Sequence, residues 1–135
     1  MPEIQINYLA VGVAALATVI IGVIWYSPLL FGSQWLGAHG YTIEQMQQTA
    51  GRNLIISLTC YGVMAFVLAV LISLLELSTL FHGALLGFFV WLGFLATLGL
   101  TSHLVSGNPL SIYLIDAGYQ LVYSLAMSAI LTAWR

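Results

Sequence analysis

One acidic residue lies alone within a long apolar stretch near the C-terminus. Asp116 directly follows Ile112-Tyr113-Leu114-Ile115, and a carboxylate in a membrane helix is costly and usually has a partner. A proton or ion relay would use such a residue. A structural network of hydrogen bonds, or a carboxylate wetted at the membrane interface, accounts for it equally well. Helical spacing of three, four, seven and eight residues adds a candidate polar face: Tyr119, Gln120, Tyr123 and Ser124.

The three histidines are too far apart along the chain to share one metal ion. His82 and His103 fall at opposite ends of one predicted helix, about 30 Å apart at 1.5 Å per residue. His39 falls in a loop that we expect near His103, which leaves a haem held by that pair as an alternative. Hydrogen bonding at the membrane interface accounts for all three histidines. Glu76 and His82 flank a short turn and are a candidate interface clamp. We therefore predict no cofactor and no metal site.

Several classes of function need residues that this sequence does not have. Two basic residues cannot neutralise a phosphate backbone, which excludes nucleic-acid binding. Cys60 is the one cysteine, so neither an internal disulfide nor a CxxC pair can form. The sequence has no phosphate-binding loop, HExxH pair or GxSxG elbow, and no combination of nucleophile, base and orienting group. We therefore predict that the protein is not an enzyme.

The composition requires a membrane. Of the 135 residues 61% are hydrophobic and 4% are charged, whereas a soluble domain carries roughly a quarter charged residues. Spanning helices need about 20 apolar residues, and residues 7–26, 53–75, 81–103 and 112–134 satisfy this length. These stretches do not alternate as barrel strands would. The sequence predicts an all-α, polytopic membrane protein, with a four-helix transmembrane bundle that forms one integral membrane domain over residues 1–135.

The connection between the first two predicted helices holds most of the polar residues. Pro28 ends the first helix, and an apolar stretch with Trp35 then suits a segment lying in the headgroup region. Thr42 and Gln45 have the spacing of a capping box, which predicts a polar helix over residues 43–50 leading into the second span. Aromatic residues near the predicted helix ends indicate interface anchors rather than a binding cage: Tyr8, Trp25, Tyr26, Trp35, Tyr113 and Trp134.

Small residues recur at every fourth position of the predicted helices. In lipid such rows let two helix backbones approach closely, and van der Waals packing then holds the helices together. These contacts could form within the bundle or between copies of the chain. The rows expected to pack are Ala10, Ala14, Thr18 and Gly22 in the first helix, and Gly83 and Gly87 in the third.

Several stretches resemble a known family. They are Asn7-Tyr8-Leu9-Ala10, Trp25-Tyr26-Ser27-Pro28-Leu29-Leu30-Phe31-Gly32, His82-Gly83-Ala84-Leu85-Leu86-Gly87, Asn108-Pro109-Leu110 and Ile115-Asp116-Ala117-Gly118-Tyr119. Over nearly its whole length the chain resembles small four-helix bacterial membrane proteins catalogued as a domain of unknown function (family 1761). The resemblance implies a fold and a bacterial inner-membrane location, and it supplies no established activity. It also implies a cytoplasmic first loop, although only Arg52 represents the lysines typical of that loop.

Two functions of different classes fit these observations. The first is a structural or accessory helix bundle that forms a homo-oligomer or joins a larger membrane complex. The second is a small proton-coupled transporter or channel, with a polar path along the fourth helix around Asp116. Besides the lipid bilayer, the expected partners are therefore other copies of the chain or a foreign membrane subunit. A membrane enzyme or a lipid-binding protein fits the residues least.

Overall fold

The computed structural model describes residues 3–40 and 42–134, and all regular structure in those residues is helical. Four stretches within them are long and apolar enough to span a membrane, as predicted. The second span begins ahead of its predicted start, and the third contains a π-helical segment. The elements are α1 (Tyr8–Trp25), α2 (Gly32–His39), α3 (Ile43–Leu74), α4 (Leu80–Val90), the π segment (Trp91–Ala96), α5 (Thr97–Val105) and α6 (Leu110–Ala133).

The capping box sets the beginning of α3. The Thr42 hydroxyl accepts from the backbone N–H of Gln45 at 3.2 Å, and the Gln45 side chain accepts from the Thr42 N–H at 3.0 Å. The predicted polar helix and the second span therefore form one helix of 32 residues. Its length of about 48 Å exceeds the hydrocarbon thickness of about 30 Å, so its first turns extend beyond the apolar layer.

The central helix of the bundle is α6. Its most apolar window is 44% buried, against 17 to 22% for the windows of the other three spans. It packs against α1 on one side, α4 on another and α3 on a third. The α1 contact uses Ala10, Ala14 and Thr18, which are fully buried.

Backbones approach closely between α4 and α6. A Cβ atom placed on Gly87 would lie 2.6 Å from the hydroxyl oxygen of Ser128 and 2.7 Å from the carbonyl oxygen of Ser124. A Cβ atom on Gly83 would collide with Thr132. Only glycine therefore lets α4 approach α6 this closely, against the backbone of Ser124 at Gly87 and the side chain of Thr132 at Gly83, as expected of small residues in lipid.

The N-terminal segment closes the same end of the bundle. The Gln5 N–H donates to the Ser73 hydroxyl at 2.9 Å, and this hydroxyl donates to the carbonyl of Glu3 at 3.3 Å. The side-chain amide of Asn7 donates to the carbonyl of Trp134 at 3.1 Å. These bonds tie the segment before α1 to the C-terminal ends of α3 and α6.

Candidate functional site

The carboxyl group of Asp116 is held by side chains from two other helical regions. The Tyr26 hydroxyl, just beyond the end of α1, donates to Oδ1 at 2.5 Å. Nε2 of His103 in α5 lies 3.1 Å from Oδ2. The side chains of His103 and Asp116 are each 19% exposed, so the pair is largely withdrawn from solvent. The three residues meet because α1 and α5 end, and α6 begins, at the same end of the bundle.

The hydrogen bonds of His103 determine how many protons this pair holds. Nδ1 lies 2.8 Å from the carbonyl oxygen of Gly99, and a carbonyl can only accept, so Nδ1 carries a hydrogen. A neutral His103 then offers a lone pair at Nε2, and Asp116 must be protonated to bond with it. A charged His103 instead donates from Nε2 to a carboxylate. In either case one proton lies between Nε2 and Oδ2.

The Tyr26 hydroxyl is a constant donor to this pair. Burial raises its pKa above the ordinary value, and the hydrogen bond to Asp116 raises that pKa further. A phenol hydrogen is therefore retained through the physiological pH range. Oδ1 of Asp116 receives that hydrogen in both protonation states of the pair, and Oδ2 is the atom whose bonding changes.

Two indole groups fix α6 on either side of Asp116. Nε1 of Trp25 in α1 donates to the carbonyl of Ile115 at 3.0 Å. Nε1 of Trp91, the first residue of the π segment, donates to the carbonyl of Ala117 at 2.9 Å. The backbone that carries the carboxylate is thereby held from both sides.

The π segment widens the third span where it faces the site. At its far end the carbonyl of Ala96 accepts from the Tyr113 hydroxyl at 2.8 Å. The ring of Tyr113 also contacts that of His103, with centroids 5.6 Å apart. Since π segments inside α-helices are frequent at functional sites, this one agrees with a role in positioning His103.

A cavity of about 520 Å³ lies beside the Asp116 cluster, between α1 and α3. Its rim includes Val23 and Leu54, which are 68% and 47% exposed, so it opens sideways at a lipid-facing surface. Tyr26 belongs to its lining and is also the residue bonded to Asp116. The aromatic and polar side chains of the lining are Tyr26, Trp35, Asn53, Ser57, Tyr61 and Tyr119.

Tyr119 crosses from α6 to the back of this cavity. Its hydroxyl donates to the carbonyl of Thr18 at 2.9 Å and lies 3.3 Å from the hydroxyl of Tyr61. A Cβ atom on Gly22 would lie 2.7 Å from the Tyr119 hydroxyl oxygen. Glycine at this position therefore leaves the space that the phenol occupies.

The short helix α2 contributes Trp35 to the lining of the cavity. The ring of Trp35 lies edge-on to Tyr26 at 5.8 Å and stacks on His39 at 4.1 Å. Nδ1 of His39 is bonded to the carbonyl of Trp35 at 2.9 Å. Trp35 and Tyr26, interpreted from sequence as interface anchors, thus line a cavity, and His39 contacts Trp35.

The residues of the predicted polar face lie in different environments. Asp116 and Tyr119 reach the cavity side, with Tyr119 packed edge-on to Tyr26 at 5.3 Å. Tyr123 packs on Tyr119 with ring centroids 5.0 Å apart. Gln120 approaches Gly99 of α5. Ser124 is 2% exposed and lies against Gly87, so the lower part of the row packs against α4.

The turn between α3 and α4 gives His82 a partner other than the predicted Glu76. The ring of His82 is bonded through Nδ1 to the Thr79 hydroxyl at 2.8 Å, and that hydroxyl also caps α4. Across residues 3–40 and 42–134 no ion pair joins Glu76 to a histidine. The same described residues contain no cluster of three or more His, Cys, Asp or Glu side chains able to hold a metal ion.

The candidate polar face predicted from sequence leaves out four residues of the site, namely Tyr26, His103, Trp25 and Trp91. The sequence indicates Tyr26 and Trp25 as interface anchors, and His103 as a residue bonded at the interface. A signal for two of them was available. The predicted helix directions already put Tyr26, His103 and Asp116 at one end of the bundle, and a hydroxyl, an imidazole and a carboxyl at one depth are natural partners.

Four apolar spans around a polar cluster define a multi-pass membrane protein. Within that class, the chain belongs to the family described as "Protein of unknown function (DUF1761)", which matches residues 9–132. This match confirms the family resemblance and carries no activity with it. Neither the curated proteins nor the solved structures contain a match to the chain.

Proposed function

We propose that the protein is a small proton-coupled transporter of the bacterial inner membrane, which exchanges a proton at Asp116–His103 against a solute in the neighbouring cavity. The observation that carries the proposal is the double contact of Tyr26, which lines the cavity and donates to Asp116. A solute that displaces this phenol changes the hydrogen bonding of the carboxyl group. Loss or gain of a proton in turn changes the charge beside the solute.

Electrostatics supplies the coupling. In a weakly polarisable environment, charges a few Å apart interact far more strongly than in water. The pair is neutral with one shared proton, negative without it and positive with a second. Solute binding and proton binding therefore alter each other's affinity by the same factor.

The closed end of the bundle requires a conformational step or a second copy for transport. There, Ser128 and Thr132 are buried against α4, so a static path along the whole of α6 is blocked. The cavity reaches only about halfway along the bundle, because its deepest lining residues are Tyr61 and Tyr119. We propose that the helices lining it rearrange, or that two copies combine, to open the other side.

Solute-driven proton movement tests this proposal, because the exchange of one proton for a singly charged solute moves no net charge. Proteoliposomes loaded with a pH-sensitive dye would be exposed to quaternary ammonium ions, carboxylates and neutral solutes at several external pH values. Asp116→Asn keeps a hydrogen-bond acceptor for Tyr26 and a donor for His103, so this variant should fold. We expect its rate of internal pH change to fall at least tenfold. Glu76→Gln makes the same chemical change at the opposite end and should leave the rate intact. An undiminished rate from folded Asp116→Asn protein rejects the proposal.

A second candidate function, an accessory or self-associating bundle, is favoured by glycines on the outer surface. Within the described residues, no atom lies within 4 Å of a Cβ placed on Gly12, Gly62 or Gly93. Outward glycines let another helix approach closely in lipid. Native mass spectrometry from a gentle detergent tests this function. A homo-oligomer that Gly62→Ile dissociates, or a retained foreign subunit, supports it, and a wild-type monomer contradicts it.

A further inference from the structure

We infer that the cavity between α1 and α3 binds a lipophilic cation, an apolar molecule with one positive charge. The inference names the class of solute for the proposed transporter. Only the expected dependence of binding on pH rests on that proposed function. Three properties of the cavity carry it: its aromatic walls, the signs of the charges around it and its lateral opening.

Four aromatic rings form the walls. Trp35 and Tyr119 approach Tyr26 edge-on, at 5.8 and 5.3 Å between ring centroids, and Tyr61 lies edge-on to Tyr119 at 6.5 Å. The negative face of an aromatic ring attracts a cation, and a site lined by several such rings is how quaternary ammonium ligands are recognised. The hydrogens of Tyr26 and Tyr119 are committed to Asp116 and to the Thr18 carbonyl. Both phenol oxygens can therefore only accept from a ligand, which favours an ammonium group that donates and disfavours an anion, which has no hydrogen to donate.

The charges around the cavity have the sign that a cation needs. Within residues 3–40 and 42–134 no basic side chain belongs to the lining. Arg52 lies on the opposite face of α3 from the lining residues Ala50 and Leu54, since 3.6 residues make a turn. The carboxyl group of Asp116 lies directly behind the Tyr26 hydroxyl. An anion would meet no compensating positive charge in this lining.

The groups around Asp116 come from every neighbouring element. The end of α1 supplies Tyr26, and α2 supplies His39, which is stacked on Trp35. Helix α3 supplies Tyr61, and α5 supplies His103. Of these, His103 is bonded directly to the carboxyl group and can exchange the shared proton with it. A bound cation favours the form of the pair without that proton. The proton then leaves to water, and Nδ1 of His103 keeps its hydrogen on Gly99.

The opening selects an apolar molecule. Val23 and Leu54 at the rim belong to the membrane-spanning parts of α1 and α3 and are exposed toward lipid. A solute that enters there must first partition into the bilayer. The volume of about 520 Å³ lies within the range of drug-sized ligand sites.

Two ions of the same shape and opposite charge test the inference. Tetraphenylphosphonium and tetraphenylborate would be titrated by calorimetry into the purified full chain in one detergent, at pH values from 5.5 to 8.5. We expect the phosphonium to bind at least tenfold more tightly than the borate, and more tightly as the pH rises. Partitioning into micelles cancels when variants are compared in the same detergent.

Matched variants place the binding in the cavity. Trp35→Ala removes one wall and should weaken phosphonium binding about tenfold, the size of a contact between an aromatic face and a desolvated cation. Trp134→Ala removes an exposed tryptophan at the other end and should leave binding unchanged. Ser57→Phe fills the cavity from α3 and serves if Trp35→Ala fails to fold. Asp116→Asn should abolish the pH dependence.

The outcomes separate this inference from the proposed function. Borate binding as tight as phosphonium binding, or phosphonium binding that survives both Trp35→Ala and Ser57→Phe, overturns the cation site. Phosphonium binding that depends on Trp35 but not on pH, and is unaltered in Asp116→Asn, supports the cation site. That last result contradicts the proton exchange proposed above.

Discussion

At one end of the bundle α1 and α3 separate around a cavity, and at the other end α4 and α6 are in contact through their backbones. Both ends contain polar side chains within apolar helices. At the open end these are a carboxyl group, an imidazole and phenols, and the carboxyl group of Asp116 is hydrogen-bonded to both Tyr26 and His103. At the closed end they are small hydroxyls packed on Gly83 and Gly87.

The difference shows that polarity within a membrane helix has two separable uses. Hydroxyls such as that of Thr132, which donates to the carbonyl of Ser128, are small enough to let another helix approach, and they do not titrate in the physiological pH range. A carboxyl–imidazole pair has two arrangements of one proton, and it is adjacent to a space that a solute can enter. The two uses occur on one helix, α6, about three turns apart.

The largest expected effect comes from emptying the polar cluster. Asp116→Ala leaves Tyr26 and His103 without their partner and should lower the free energy of unfolding by about 2–4 kcal/mol. Asp116→Asn should cost under about 1 kcal/mol, since its amide can accept from Tyr26 and donate to Nε2 of neutral His103. Thermal unfolding of both variants in the same detergent measures the difference between their losses of stability. Equal losses would mean that the hydrogen bonds at the open end contribute little.

At the closed end a single methyl group is the matching perturbation. Gly87→Ala puts a Cβ atom against the backbone of Ser124 and should destabilise the protein by about 1–3 kcal/mol. Gly93→Ala, in the same span, meets open space among the described residues and should be neutral or slightly stabilising. We expect the melting temperature to fall for Gly87→Ala and not for Gly93→Ala. If the two variants behave alike, close backbone packing does not distinguish the ends.

Alkaline pH should act on the open end through Tyr26. The raised pKa of Tyr26 means that the folded state keeps a proton which the unfolded state loses above about pH 10. This contribution is complete below pH 10 and declines as the pH rises, by up to about 1.4 kcal/mol per pH unit. Unfolding free energies of wild type and Tyr26→Phe would be compared from pH 9 to 11.5. The unfolding free energy of the variant should decline less steeply with pH than that of the wild type. Parallel curves would contradict the assignment of this alkaline loss to Tyr26.

The smallest expected effect concerns the turn at the closed end. Glu76 has a φ of 54°, a left-handed conformation that disfavours any residue with a Cβ atom. Glu76→Gly should raise the free energy of unfolding by up to about 1 kcal/mol, while Glu76→Gln should leave it unchanged. A calorimetric melting temperature distinguishes the two, and equal values would show that the turn is unstrained.

The number of spans and most of their ends followed from the sequence, and the register between helices did not. Apolar length fixed four spans, and the Thr42–Gln45 spacing fixed the start of α3, because both signals are local. The contact of Gly87 with Ser128, rather than with another row, depends on how α4 is rotated about its axis. One residue of offset turns a helix face by about 100°, and a single sequence does not record that rotation.

The site was predicted in part for the same reason. Asp116 stood out because its charge is rare in this composition. The indole bonds of Trp25 and Trp91 to α6 could not be anticipated, since tryptophan near a membrane interface is common without any specific partner. The π segment at Trp91 contacts α6, and the apolar residues around it carry no sequence signal of an irregular helix.

The hydrogen bond from Nδ1 of His103 to the carbonyl of Gly99 prevents the imidazole ring from passing a proton from one nitrogen to the other side. A ring passes protons along a wire only if one nitrogen can release a proton onward while the other receives one. Here Nδ1 faces a carbonyl, which cannot carry a proton further. A proton that binds at Nε2 must therefore be released from Nε2. The imidazole can hold a proton without conducting protons across the membrane.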